Sequence, residues 1–271
     1  MKKILVPVDF SDASNNASYY AASLANIYRC EMILIHAYIN PAGIDEMPSG
    51  FVFQPGKELW DIKKDIMHEY VEALRKKYTI RIRGVVREGT ATPAILDFAK
   101  DENADLIVMG MKGKGESNSL FGSNTTSVMG KSSVPVLILP ENVQFRNIEV
   151  ITLATNFEAE TNYSDYSLLR NIAQKNEAFI QILNVRKMDS ELSGSEITGK
   201  INTASAFEDL NCGFYTIKDD EVDDGIEDFL EDHPSDLLVM IGRKRNLFQR
   251  IFGISHTKKM SYETEIPLLI L

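Results

Sequence analysis

The chain repeats itself. Residues 93–109 read Pro-Ala-Ile-Leu-Asp-Phe-Ala-Lys-Asp-Glu-Asn-Ala-Asp-Leu-Ile-Val-Met, and residues 224–240 read Asp-Gly-Ile-Glu-Asp-Phe-Leu-Glu-Asp-His-Pro-Ser-Asp-Leu-Leu-Val-Met. At a constant offset of 131 they share Ile95/Ile226, Asp97/Asp228, Phe98/Phe229, Asp101/Asp232, Asp105/Asp236 and Leu106/Leu237. Both halves then close alike, in Val134-Pro-Val-Leu-Ile-Leu139 and Ile266-Pro-Leu-Leu-Ile-Leu271. Their starts match more faintly, Ile4-Leu-Val-Pro-Val-Asp-Phe10 against Val150-Ile-Thr-Leu-Ala-Thr-Asn-Phe157. Three matches in the same order mark a duplicated unit. A length of 271 residues holds two units of ordinary domain size. The expected domains are residues 1–140 and 147–271, joined by the polar stretch Pro140-Glu-Asn-Val-Gln-Phe-Arg-Asn147.

Within a unit, short apolar runs alternate with helical patterns. Residues 3–8, 32–37, 79–86, 105–109 and 134–139 suit strands of a buried parallel sheet. Helical patterns fall at 12–28, 57–77, 92–102 and about 123–132. The second half repeats the strands near 148–154, 178–185, 212–217, 236–241 and 266–271, with a weak, polar middle helix around 195–209. Such alternation implies right-handed crossovers, and so an α/β fold of two tandem doubly wound parallel sheets.

Charge separates the halves. Residues 1–140 carry 16 Lys/Arg and 16 Asp/Glu, whereas residues 141–271 carry 13 and 23, the whole net charge of −10. Nucleic-acid binding draws on many Lys/Arg–phosphate contacts, and this chain has no excess to supply them, so no nucleic-acid partner is expected. The neutral first half is the better home for a phosphorylated ligand. The start, Met1-Lys-Lys-Ile-Leu-Val-Pro7-Val-Asp9, is broken too early for a secretory signal. No run approaches the length of a membrane span. Cys30 and Cys212 lie far apart without metal-ligand spacing. A cytoplasmic protein with no membrane association is the expectation.

The first half carries one loop with evident chemistry, Gly110-Met-Lys-Gly113-Lys-Gly-Glu-Ser-Asn-Ser-Leu-Phe-Gly122-Ser123-Asn124-Thr125-Thr126. Glycines let backbone N–H groups approach a ligand closely. Hydroxyl and amide residues after Gly122 suit a helix cap, and a helix start offers free N–H groups and a positive dipole end to phosphate. On composition alone the loop reads equally well as a glycine-rich connection with an ordinary cap. Position favours a ligand, because open α/β sheets bind beyond the carboxyl ends of their strands. Asp9, at the end of the first strand, then either accepts from a ribose hydroxyl or base amine, or caps the first helix with Ser11 and Asp12. Gly130-Lys131-Ser132 looks like the end of a phosphate-binding P-loop, but Thr125 stands where the first glycine belongs, and the segment precedes a strand.

These motifs together, with Ile33-Leu-Ile-His36-Ala37, resemble the universal stress protein family across almost all of the first half and more loosely in the second. The resemblance implies strand order 3-2-1-4-5, the fold of adenine nucleotide alpha hydrolase-like proteins. It also implies a loop pattern Gly-x2-Gly-x9-Gly-Ser/Thr in the ATP-binding branch. By that resemblance Gly110, Gly113, Gly122, Ser123, Asn124 and Thr125 hold phosphate and ribose. Asp9 and the backbone at Ala37 address the nucleoside, with Met109 nearby. The spacing here is Gly-x2-Gly-x8-Gly, one residue short. In the second half Lys244 or Arg245 replaces the middle glycine, Ile254 stands at the place of Gly122, and Asn156 replaces Asp9. That site reads as lost.

The remaining features carry bland readings beside sharper ones. Arg243-Lys244-Arg245, Arg250 and Lys258-Lys259 form an anion or partner site or a solvated loop; Asp219–Asp224 is an acidic helix start with a metal as the weaker reading. His36, His68, His233 and His256 are scattered without a nucleophile, and His36 reads as a core histidine. The Met47–Phe53 stretch and Trp60 read as a connector or as a flap. The leading expectation is a regulatory protein of the stress response, not an enzyme and without catalytic residues, binding ATP or AMP through the first domain with Mg²⁺ beside the triphosphate. The alternatives are a stress protein acting through protein partners without nucleotide, and a slow ATPase. The bare strands 134–139 and 266–271 are expected to pair with each other, making an intramolecular pseudo-dimer, with homodimerisation left open.

Overall fold

The computed structural model describes residues 1–40, 55–111, 123–157, 166–241 and 266–271. The first half runs β1 (Lys3–Pro7), α1 (Asp12–Tyr28), β2 (Glu31–Tyr38), α2 (Pro55–Arg75), β3 (Ile82–Glu88), α3 (Ala91–Asp101), β4 (Leu106–Gly110), α4 (Ser123–Lys131) and β5 (Val136–Leu139). The second runs β6 (Val150–Ala154), α5 (Ser167–Asn176), β7 (Phe179–Arg186), α6 (Gly194–Ala206), β8 (Cys212–Lys218), α7 (Val222–Asp232), β9 (Leu237–Met240) and β10 (Leu268–Ile270).

The strands lie in one sheet in the order β3-β2-β1-β4-β5-β10-β9-β6-β7-β8. Each half has the expected order 3-2-1-4-5, and its strand pairs are parallel. Among the described strands the one antiparallel join is β5 with β10, Leu268 facing Ile138 and Ile270 facing Val136. The strands 134–139 and 266–271 therefore meet as expected. The carboxyl ends of the strands consequently open on opposite rims of the sheet in the two halves.

Alternate residues of each strand enter two apolar layers. Ile4, Val6 and Val8 face the layer that also receives α1 and α2 residues, whereas Leu5 faces the layer built with Ile95, Phe98, Val128 and Met129. Both layers continue into the second half, through Ile151 and Leu153 on one face and Ile226 and Phe229 on the other. The repeated Ile and Phe pairs are thus core residues: Ile95, Phe98, Ile226 and Phe229 are all buried. The connection 140–147 lies along α1. Asn16 donates to the carbonyls of Pro140 and Val143, and Phe145 packs edge-on against Tyr20.

The third strand begins three residues later than the apolar run predicts. The end of α2 continues into a turn, with the Lys77 and Tyr78 N–H groups both reaching the Leu74 carbonyl, so the chain is still clearing the helix where that run begins. The expected middle helix of the second half forms as α6. Its N-cap Ser193 and Glu196 exchange hydrogen bonds in a capping box, which compensates for a polar sequence.

Candidate functional site

The carboxyl ends of β1 and β4 are adjacent, since Ile4 pairs with Leu106 and Leu5 with Ile107. This places Asp9 beside the end of β4 at Gly110. Asp9 is exposed, and its Oδ1 accepts the Ser11 N–H at 3.0 Å and the Ser11 hydroxyl at 2.5 Å. Ser11 in turn is the N-cap of α1, its hydroxyl accepting the Ser14 N–H at 3.4 Å. Both readings of Asp9 are therefore compatible: it supports the cap from a position open to solvent at the strand ends.

Gly110 has a packing duty of its own. A Cβ there would lie 2.2 Å from the Ala13 carbonyl oxygen, so the start of α1 presses directly on this backbone. Ser123 and Asn124 occupy the first turn of α4 and are exposed. The Thr92 hydroxyl donates to Asn124 Oδ1 at 3.4 Å, tying the starts of α3 and α4. Thr125 is buried, and its hydroxyl donates to the Gly110 carbonyl at 3.4 Å. It locks α4 to the end of β4 instead of facing solvent. Met109 is a core side chain, and Ala37 sits in β2 opposite Arg87 of β3. Gly113 and Gly122 lie outside the described residues. So do Arg243, Lys244, Arg245, Arg250, Ile254, His256, Lys258 and Lys259, and the Met47–Phe53 stretch.

Two residues matter more than their sequence context suggests. Phe10, immediately after Asp9, has a left-handed backbone at φ 64°, a conformation that large side chains rarely adopt. His36 is buried, with its ring 4.8 Å from that of Phe10. His36 Nδ1 lies 2.8 Å from the Val8 carbonyl. A carbonyl only accepts, so Nδ1 carries the proton. Burial, above all, pushes the His36 pKa below the ordinary imidazole value; Lys63 adds to the fall, while the Val8 carbonyl and Asp9 oppose it. His36 stands in the Ile33–Ala37 stretch that carries part of the resemblance, but nothing local in the sequence assigns it this contact.

Among the described residues no group of three or more His, Cys, Asp and Glu could hold a metal. The acidic run is engaged locally, Asp219 Oδ1 accepting the Glu221 N–H at 2.9 Å and Asp220 Oδ1 the Met188 N–H at 3.4 Å. Gly130 and Lys131 belong to α4, and the Ser132 hydroxyl donates to the Val134 carbonyl at 2.6 Å, which is helix-to-strand packing and no phosphate loop. No helix among the described residues is long and apolar enough to cross a membrane.

Fold and site together define a tandem doubly wound α/β protein with a polar helix start at the carboxyl end of β4. The model of the universal stress protein family matches residues 1–140, and the chain belongs to that family. It is similar to the universal stress protein MJ0531 of Methanocaldococcus jannaschii, with 32% identity over 146 residues, covering 51% of this chain and 81% of that protein. A universal stress protein of Synechocystis is 32% identical over 143 residues, covering 51% of this chain and 85% of its own. A solved universal stress protein of Archaeoglobus fulgidus spans 99% of this chain and 97% of its own with a TM-score of 0.70, at 16% identity. That likeness is one of fold, and it extends over both halves.

Proposed function

We propose that this universal stress protein is a regulatory protein of the stress response that binds ATP or AMP through its first half, residues 1–140. The observation that carries this reading is that β1 and β4 are neighbours, with Asp9 just beyond the carboxyl end of one and α4 tied through the Thr125 hydroxyl to the Gly110 carbonyl at the end of the other. Helix starts favour anionic groups, and an exposed carboxylate beside one suits the hydroxyls of a ribose. Asp9, the backbone at Ala37 and Met109, Gly110, Gly113, Gly122, Ser123, Asn124 and Thr125 make up the proposed site. Thr125 and Met109 contribute by holding the frame, given their burial. Mg²⁺ would arrive with the triphosphate, its remaining ligands being phosphate and water.

Residues 147–271 form the second unit in this reading, with Asn156 in place of Asp9 and no nucleotide of its own. Its acidic strand-end run, Asp219 to Asp224, repels phosphate. The protein acts in the cytoplasm by ligand-dependent regulation and not by catalysis. Titration calorimetry with ATP and with AMP tests this on the wild type and on Gly122→Val. Binding by the wild type that the variant loses supports the reading. No heat at millimolar nucleotide overturns it.

One observation favours action through protein partners without nucleotide. Gly110 and Thr125 both have packing duties toward α1 and β4 whether or not a ligand is present. Partner capture that is unchanged between the wild type and Gly122→Val is the outcome that reading requires.

A further inference from the structure

The end of the first strand is clamped in the same way in both halves, by unlike side chains. In the first half the Val8 N–H donates to the Ile35 carbonyl at 2.8 Å, and the Val8 carbonyl accepts from His36 Nδ1 at 2.8 Å. In the second half the Thr155 N–H donates to the Leu183 carbonyl at 2.9 Å, and the Thr155 carbonyl accepts from Asn184 Nδ2 at 2.7 Å. The next residues are Asp9 and Asn156. After them come Phe10 and Phe157, left-handed at φ 64° and 55°. Such a backbone costs on the order of 1 kcal/mol or more for a bulky residue. Both halves keep it at equivalent places despite different sequences.

The two clamping side chains are buried, His36 7% and Asn184 2% exposed. Each spends one nitrogen on the strand-end carbonyl and keeps a buried acceptor, His36 Nε2 or Asn184 Oδ1, without a partner among the described residues. Burying a polar side chain in this state is unfavourable, so the carbonyl contact must be worth having. What it fixes is the single residue between clamp and left-handed turn.

We propose that His36 is a positioning residue of the nucleotide site: its Nδ1–H pins the Val8 carbonyl and thereby sets where the Asp9 carboxylate stands. Asn184 is its non-titrating counterpart at Asn156. The role rests on the nucleotide reading only for its consequence in binding. The charged groups acting on His36 are Asp9 from the β1–α1 connection and Lys63 from α2, and the Phe10 ring packed against it meets Tyr70 of α2 at 5.7 Å. Protonating Nε2 leaves Nδ1–H on the Val8 carbonyl but adds a buried charge near Lys63 and a second donor with no acceptor among the described residues, which strains the packing around the clamp. Asp9 then loses its fixed place as pH falls below the ordinary imidazole range, and nucleotide affinity falls with it.

The experiment compares wild type, His36→Asn and His36→Leu in two ways. Hydrogen exchange of the Ser11 amide, which Asp9 Oδ1 holds at 3.0 Å, reads the position of Asp9 in nucleotide-free protein. His36→Leu is expected to lower its protection about tenfold, while His36→Asn retains it, since Asn184 shows that an amide makes the same clamp. ATP affinity is then followed between about pH 5 and 8. The wild type is expected to weaken toward acid, His36→Asn to stay level, and His36→Leu to be weak throughout. Equal Ser11 protection in all three proteins overturns the proposal, as does His36→Asn as poorly protected as His36→Leu. A wild type that binds no ATP, with Ser11 protection lost only in His36→Leu, keeps the positioning role and defeats the nucleotide reading instead.

Discussion

The Asp105 carboxylate holds the start of β1, its Oδ2 accepting the backbone N–H of Lys3 at 2.9 Å and that of Lys2 at 2.5 Å. Asp236 does the same for β6, accepting from Glu149 at 2.8 Å and Val150 at 3.0 Å. Charge-assisted bonds of this kind are the stronger ones. Asp105→Ala and Asp236→Ala should each cost about 1–3 kcal/mol. The second should cost more, because Asp236 also pairs with Arg146 at 3.0 Å. Urea unfolding measures both, and midpoints unchanged from wild type would contradict the role.

Gly110→Ala should destabilise the fold whether or not nucleotide is present. The added Cβ would sit 2.2 Å from the Ala13 carbonyl oxygen and 2.5 Å from its carbon, both backbone atoms that cannot swing aside. Overpacking of this sort costs about 1–3 kcal/mol or more. A thermal melt without ligand that matches the wild type would refute the close approach. Lost binding in this variant is therefore no measure of phosphate contact.

A polar pair in the second half invites a double-mutant cycle. The Thr152 hydroxyl donates to Gln181 at 2.9 Å in the core, at strand positions where the first half pairs Leu5 with Ile33. Replacing one partner strands a buried polar group, costing about 1–3 kcal/mol, whereas replacing both can be nearly neutral. Thr152→Leu alone should thus lose more stability than Thr152→Leu with Gln181→Ile. The opposite order in chemical denaturation would disprove the coupling.

Acid should loosen the amino-terminal edge of the first half. The Arg83 guanidinium at 2.5 Å and the Lys3 ammonium at 3.0 Å hold the Glu102 pKa below the usual carboxylate value. A depressed folded value means that the contribution is complete above the unfolded pKa, about 4.3, and is lost as pH falls through the folded one. Glu102→Gln should flatten stability against pH in that acid window and leave the slope near neutrality unchanged. Parallel curves for variant and wild type would exclude the linkage.

The duplication was legible because its surviving identities do the same physical work twice. Ile95/Ile226 and Phe98/Phe229 fill the core, and Asp105/Asp236 pin strand starts. Strand order followed from the resemblance, and the meeting of residues 134–139 with 266–271 from their apolar, edge-forming character. Of the site, what was legible is that the strands carrying Asp9 and Gly110 at their carboxyl ends are neighbours. Its frame was not. The His36–Val8 clamp joins residues 28 apart, and the Ala13–Gly110 contact joins two separate elements. Neither leaves a local pattern in composition or periodicity. Likewise β3 starts late because the turn closed on the Leu74 carbonyl at residues 77 and 78 leaves the chain still clearing α2 where the apolar run begins.

The antiparallel seam between β5 and β10 has a consequence for how the two halves could diverge. Two separate chains joined at such an edge would exchange partners, and their association would weaken on dilution. Here one polypeptide supplies both edges, so the effective concentration is set by the chain itself and the seam does not depend on protein concentration. Each first half meets always the same second half. A half that can never be swapped for an identical copy is free to change its chemistry, keeping the clamp at Thr155 while giving up the carboxylate that Asp9 retains.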